Sequence, residues 1–520
     1  MIGIVVSRAD RASTHIAERL LALADWTERT DDDRADADGG GTYHTLDPAT
    51  ATEAVADADR DGAVAVDTGD CPTRFELRVF DELHIRLGDP TPAFSERPDY
   101  LVFVSRHAGD TGPLLTCHFT GNLGEAEYGG ESRSLAPTCP GVQRALVAGF
   151  DDHAPEGYEV AIEGTHHGPT DLATPAVFAE LGSDDEQWDD PAGATAVARA
   201  VLDLPARDAS VAVGDPDRPR HLVGFGGGHY APRFERVIRE TPWGVGHVAV
   251  DWQLEELGHP EEHGDVLEAA VAASDADHTL VEGERPALRD ALADRDVRVV
   301  SETWVRAVGD RPLGLVASLE SDLCPVEDGL RFGDRAPTGN SGDAGNTGNA
   351  GDAGDSATAD DAVAGEAAAD GYRIVDLPAE LLAAAQGVDA EAARTAVDAH
   401  VVAVETEQSG SRPAGRAAVP AHGDDTVADA ADTDAAGPDA YDALVDDLAA
   451  ILRGTYDEVV REDGAVVARV ESFDPELAAT LGVPEGPKFG ALSAGEPVEV
   501  DGETVPPEAV SREREERFPV

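Results

Sequence analysis

With 520 residues, 39 of them basic and 104 acidic, the chain carries a formal net charge of −65 and is too long for one ordinary domain. Its four cysteines are far apart with no CxxC pair, which excludes a cysteine zinc finger and a disulfide framework, and no run approaches the roughly 18 apolar residues of a membrane helix. The acid is spread along the whole chain, and molar salt shortens the Debye length to about 3 Å, so the charge reads as adaptation to a salt-rich cytoplasm and says little about function.

Taken in order, Ile2–Val6 reads as a first strand and Thr14–Ala24 as a helix by its spacing. Further strand-like apolar runs are Gly62–Val66, Tyr100–Val104, Leu114–His118, Tyr158–Ile162, His221–Phe225 and Gly246–Val250, and Gly141–Gly149, Gly193–Leu204 and Phe234–Glu240 have helical patterns between them. This alternation predicts an α/β fold, a mixed or parallel sheet flanked by helices. The pattern continues through Val266–Ala273, His278–Val281 and Val297–Val300, so residues 1–335 read as one catalytic domain with its motif core in 1–265. Residues 336–371 are low in complexity and read as a disordered linker, 372–405 as a short α/β segment, 406–438 as a second linker, and 439–520 as a small α/β extension of unassigned role.

Six of the sixteen histidines fall in compact motifs near the ends of apolar runs, at 107, 118, 166, 167, 229 and 247. In open α/β sheets ligands bind beyond the strand carboxyl ends, so these motifs are expected to converge there. Arg106 and His107 follow the strand at 100–104, and an Arg beside a His suits an anionic substrate and a ligand or base. His118 leaves a strand and runs into a turn ending at Asn122. In Glu163-Gly164-Thr165-His166-His167, an extended backbone points Glu163, Thr165 and His167 one way and His166 the other. A carboxylate and an imidazole on one face complete a metal site or act as general base. Gly226, Gly227 and Gly228 precede His229, and Pro232 and Arg233 open a helix whose N-terminus would suit a phosphate. The P-loop, the GxSxG elbow and HExxH are all absent.

In this order, SRH, HFTGN, EGTHHGPT, GGGHYAPRF and GVGH resemble the motif series of the archaeal and plant type of D-aminoacyl-tRNA deacylases, over roughly residues 1–265. Phe119 stands where that pattern would place Pro. The resemblance implies a core similar to purine nucleoside phosphorylases and peptidyl-tRNA hydrolases. It also implies two zinc ions per chain and hydrolysis of the ester between a D-amino acid and tRNA, by a cytoplasmic monomer with no membrane or DNA partner. Within it His107, His118, His166 and His229 are the expected metal ligands, and Glu163 and His167 the base or its support. Arg106 and Arg233 would hold phosphate or oxyanion, Gly226, Gly227, Gly228 and Asn122 would touch substrate, and Arg133, Arg236 and Arg239 would extend a basic patch. The same histidines would also serve a zinc amidohydrolase or peptidase on a small substrate, and the glycine loop a nucleotide- or RNA-binding module without catalysis.

Overall fold

The computed structural model describes residues 1–34, 41–47, 73–212, 218–338, 371–421 and 439–520, so the strand expected at Gly62–Val66 and most of the two linkers lie outside the described residues. The chain divides into two compact units, Met1–Asp310 and Arg311–Val520. Among the described residues no helix is long and apolar enough to cross a membrane.

The first unit is an α/β structure. Its larger sheet contains β1 (Ile2–Ser7), β2 (Thr27–Thr30), β3 (Thr42–Leu46), β4 (Phe75–Phe80), β5 (Tyr100–Arg106), β6 (Leu114–His118), β7 (Glu159–Ile162) and β8 (Ala176–Gly182), in the order β2-β3-β4-β1-β5-β8-β6-β7. β4, β1, β5 and β8 run parallel, whereas β6 is antiparallel to β8 and carries β7 parallel to itself. Helices α1 (Arg11–Leu23), α2 (Pro140–His153) and α3 (Pro191–Leu202) pack against one another and the sheet. Asp10 starts α1 by accepting the Ser13 N–H at 3.1 Å, and Pro opens both α2 and α3, where a missing N–H costs nothing. The other face, built on Val5, Phe103 and Phe178, is covered by loops that contribute Phe94, Ala136 and Leu172.

Four strands of this sheet, β2, β3, β4 and β8, escaped the reading of the sequence, and two of them carry buried charge. β4 hides its charges in a pair, with Arg78 Nε donating to Glu76 Oε1 at 2.7 Å and both side chains buried. β8 (AVFAELG) is wholly buried but carries Glu180, a carboxylate that a core strand normally excludes.

A second sheet holds β9 (His221–Phe225), β10 (Gly244–Ala249), β11 (His278–Val281) and β12 (Arg298–Val300) in the order β10-β9-β11-β12, all parallel. A hydrogen-bonded chain ties it to the segment after β7. Thr165 Oγ1 accepts the Val248 N–H at 3.0 Å and donates to His247 Nδ1 at 3.0 Å, while His247 Nε2 donates to the Ala136 carbonyl at 2.9 Å. His247 is therefore a buried structural residue.

The second unit begins at 311, earlier than the boundary at 335 expected from sequence, because Arg331–Phe332 pairs with Ala403–Glu407 in a four-stranded antiparallel sheet. Arg412–Pro420 is a strand of that sheet, which corrects the linker expected from 406. Its residues are small and polar-flanked, but Ala417, Ala418 and Val419 are fully buried. Helix Ala440–Leu452 shares one core with helices Ala379–Val388 and Ala390–His400, so 372–405 and 439–520 form one unit.

Phe178 stacks on Phe103 at 4.7 Å and on the His118 ring at 5.1 Å. Phe178→Ala is expected to cost about 3–5 kcal/mol of unfolding free energy, read from denaturant melts at constant salt. Burial pushes His247 from its ordinary 6.5 down to about 4, so only the unfolded chain takes up a proton between those values. Stability present above pH 6.5 is then lost as pH falls toward 4, and thermal melts of His247→Gln should show a shallower fall than wild type.

Candidate metal centre and active site

The reversed strand β6 decides where the site forms. Because β6 opposes β8, their carboxyl ends lie at opposite edges and cannot meet beyond the sheet. The register instead sets His118 opposite Phe178, with Glu180 two residues on along the same face. β5 delivers His107, β7 runs into Glu163, and the loop after β9 returns His229. The cluster thus stands on the loop-covered face of the sheet.

Glu163 is at its centre. Its Oε2 lies 2.8 Å from His229 Nε2, 3.6 Å from His107 Nε2 and 3.8 Å from His166 Nε2. His118 Nε2 stands 3.7 Å from Glu180 Oε1. The ring of His166 is 4.2 Å from that of His118 and 4.5 Å from that of His167, centroid to centroid. All of these groups except His118 border a cavity of about 380 Å³, which Asp10, His84, Arg106 and Tyr128 also line.

Charge in this pocket is set by burial and by proximity. Burial alone would raise the Glu163 carboxyl, but the hydrogen bond from His229 and the fields of His166, His118 and His107 hold it well below the usual carboxylate range. Burial and the field of His118 push His166 down to about 3, and burial likewise holds His167 well below its ordinary value. Burial opposes charge on His118, yet Glu180 outweighs it and raises the imidazole. Burial also raises Glu180 itself. The result is an anionic carboxylate beside two imidazoles, His166 and His167, held neutral, a protonation state that suits metal binding.

Three sets of donor atoms lie within 4.8 Å of one another: His118 with His166 and His167, His107 with Glu163 and His229, and His118 with Glu163 and Glu180. His118 Nε2 and Glu163 Oε1 are buried without a hydrogen-bond partner. Unsatisfied buried acceptors are costly, and a cation in an imidazole and carboxylate site would satisfy His118 Nε2 and leave Glu163 Oε1 for a proton. The residues therefore fit a metal.

All four expected ligands, His107, His118, His166 and His229, are brought together with Glu163 and His167. The alternation expected along 163–167 does not hold. His166 and His167 both line the cavity while Thr165 turns away to His247, because the backbone leaves the extended region at His167 with φ 46°. Arg106 lines the cavity, with its guanidinium over the Trp188 ring at 5.1 Å.

Other expected contacts have different tasks. Asn122 Nδ2 donates to the carbonyls of Gly129 and Glu131 at 2.9 and 3.1 Å, so it braces a loop in place of touching substrate. The Gly227 N–H donates to Asp251 Oδ1 at 2.6 Å, and a side chain would collide with the Glu282 carbonyl and the Arg285 guanidinium at Gly226 or with the Glu282 carboxylate at Gly227, so these glycines serve a tight turn. Of the three, Gly228 alone keeps open space beside it. Arg233 and Arg236 are spent on Glu302, Arg239 on Asp151 and Glu235, and Arg133 faces Glu125 at 3.8 Å. The expected basic patch is thus paired internally, Arg106 excepted.

Several site residues went unread in the sequence. Glu180 sits inside an unrecognised strand. Tyr230, whose hydroxyl is 3.3 Å from His107 Nε2, lay within a quoted motif and carried no signal of its own. Asp10 and His84, 3.8 Å apart, reach the cavity from a helix cap and a loop remote in sequence.

A family model described as D-aminoacyl-tRNA deacylase matches residues 94–300. The D-aminoacyl-tRNA deacylase of Halorubrum lacusprofundi is 49% identical over 545 residues, covering 100% of this chain and 97% of the relative. That of Natronomonas pharaonis is 45% identical and covers 100% of both chains. That of Methanospirillum hungatei is 30% identical over 82% of this chain and 86% of its own. A crystal structure of a conserved protein of unknown function, AF0625, is 26% identical and aligns 59% of this chain with 96% of that one at a TM-score of 0.46. The first two relatives come from halophilic archaea and align with the whole chain, C-terminal unit included. Identity of this order along the full length means that the chain belongs to the D-aminoacyl-tRNA deacylase family.

Proposed function

We propose that the chain hydrolyses the ester bond of D-aminoacyl-tRNA in a zinc-dependent reaction, releasing a free D-amino acid and intact tRNA, and so keeps D-residues out of translation in the cytoplasm. The observation that carries the reading is the buried anionic Glu163 surrounded by imidazoles in one cavity of a chain of this family.

Two donor sets share no residue, His118–His166–His167 and His107–Glu163–His229, and they are the natural holders of two ions. The chemistry that bound zinc supplies is Lewis acidity, a polarised carbonyl and a water whose pKa is lowered to about 7. The protein's own part begins with Glu163. Its Oε2 faces the imidazoles, and its Oε1, free of hydrogen bonds, is the oxygen available to take a proton from the attacking water. The water oxygen bonds to the ester carbon, the bond from that carbon to the ribose oxygen breaks, and the proton passes to the leaving ribose oxygen. Trp188 donates its indole N–H to the His107 carbonyl at 2.9 Å and holds that strand end in place. Arg106, at the cavity, is the cation available to a nearby phosphate.

Glu163→Gln should keep the side chain's size and lower kcat on D-tyrosyl-tRNA at least about 100-fold. Deacylation within a few-fold of wild type would remove Glu163 from the reaction. Glu180→Gln should weaken metal retention about 10- to 100-fold, measured as zinc content after graded chelation. Full chelation should abolish hydrolysis, and added zinc should restore it.

A further inference from the structure

Four large apolar side chains stand exposed among the described residues, Tyr128, Trp252, Val388 and Leu481. Of these, Tyr128 is the one that also lines the metal-site cavity, and its side chain is 67% exposed. An exposed aromatic ring at the mouth of a polar cavity has no folding role to explain it.

The loop that carries the ring is rigidly held. The Tyr128 carbonyl accepts the Gly168 N–H at 3.2 Å, which ties it to the segment bearing His166 and His167. Asn122 clasps the carbonyls on either side of Gly130, and the Glu131 N–H donates to Thr170 Oγ1 at 2.8 Å. Gly129 has φ +82°, and a Cβ there would sit 1.7 Å from the Ile85 carbonyl oxygen. The ring is thus presented on a fixed support and kept free of partners.

We propose that Tyr128 is the platform on which the terminal base of the tRNA 3′ end stacks while its ester lies in the cavity. The inference rests on the deacylase reading above. With the ester carbon beside Glu163 and His229, the terminal ribose is at the cavity mouth and its base one sugar ring further out, where Tyr128 is the exposed aromatic. The charge pattern favours the same contact. Phosphate contacts weaken steeply with salt, and the arginines at 133, 233, 236 and 239 face carboxylates. Base–aromatic stacking depends on contact area and aromatic faces, and one unpaired base supplies it without a cation.

The test is steady-state deacylation at molar salt by wild type, Tyr128→Ala and Tyr128→Phe, on D-tyrosyl-tRNA and D-aspartyl-tRNA. For Tyr128→Ala, KM should rise about 5- to 150-fold on both substrates, the range produced by loss of one base–aromatic stack. Its kcat should stay within about twofold, since the contact is equal in ground and transition states. Tyr128→Phe should match wild type, and on a D-aminoacyl RNA whose terminal nucleotide lacks its base, wild type and Tyr128→Ala should share one KM. An unchanged KM in Tyr128→Ala, a penalty confined to D-tyrosyl-tRNA, or a Phe variant as weak as the Ala variant would each overturn the platform. Wild type inactive on both substrates would sink the deacylase reading itself, and the platform with it.

Discussion

A carboxylate taken out of water must be compensated, and around Glu163 the compensation is the site itself. Its Oε2 gathers His229, His107 and His166 within 3.8 Å, each from a different stretch of chain. An isolated buried anion would be costly enough to neutralise itself, so the histidines and the carboxylate depend on one another. That dependence explains the electrostatics of the whole pocket. Glu163 stays charged, His166 and His167 stay neutral, and two of the buried atoms left without a partner, His118 Nε2 and Glu163 Oε1, are ones that a cation and a proton would use.

The sheet makes this convergence possible by an irregularity in its own plan. An all-parallel sheet would have placed the motifs along one edge, at the strand carboxyl ends. Turning β6 against β8 moves the centre onto the face of the sheet, where the stacked rings of Phe103, Phe178 and His118 form its floor. The second sheet supplies His229 from the glycine turn, and the Thr165–His247–Ala136 chain keeps the two sheets in register at that point. His247 resembles the cavity histidines in sequence, but its ring bonds to Thr165 and Ala136 and takes no part in lining the cavity.

The acidic composition bears on the surface and leaves the centre almost untouched. Arginines that a basic groove would have used are absorbed in ion pairs with Glu302, Asp151 and Glu235. In concentrated salt, exposed cation–phosphate contacts have little to offer, since those are the interactions salt screens first. Shape, metal coordination and aromatic surface keep their strength under those conditions.

From the sequence alone came the α/β class, four strands of the larger sheet, the strands of the second, several helices of the first unit, and the candidate residues His107, His118, Glu163, His166, His167 and His229. They were legible because each is local: an apolar run of strand length, a helical period, or a polar motif abutting such a run. Strand pairing, register and the direction of β6 were not, because they depend on contacts between segments distant in the chain. For the same reason Glu180 passed unnoticed inside a core strand, Asn122 and Arg233 looked like substrate contacts when their partners were Gly129 and Glu302, and the strand at Arg412–Pro420 looked like linker. A side chain's type is written in its own position, but its partner is chosen by the fold, and in this protein only the tertiary structure decided which polar groups face the cavity and which face one another.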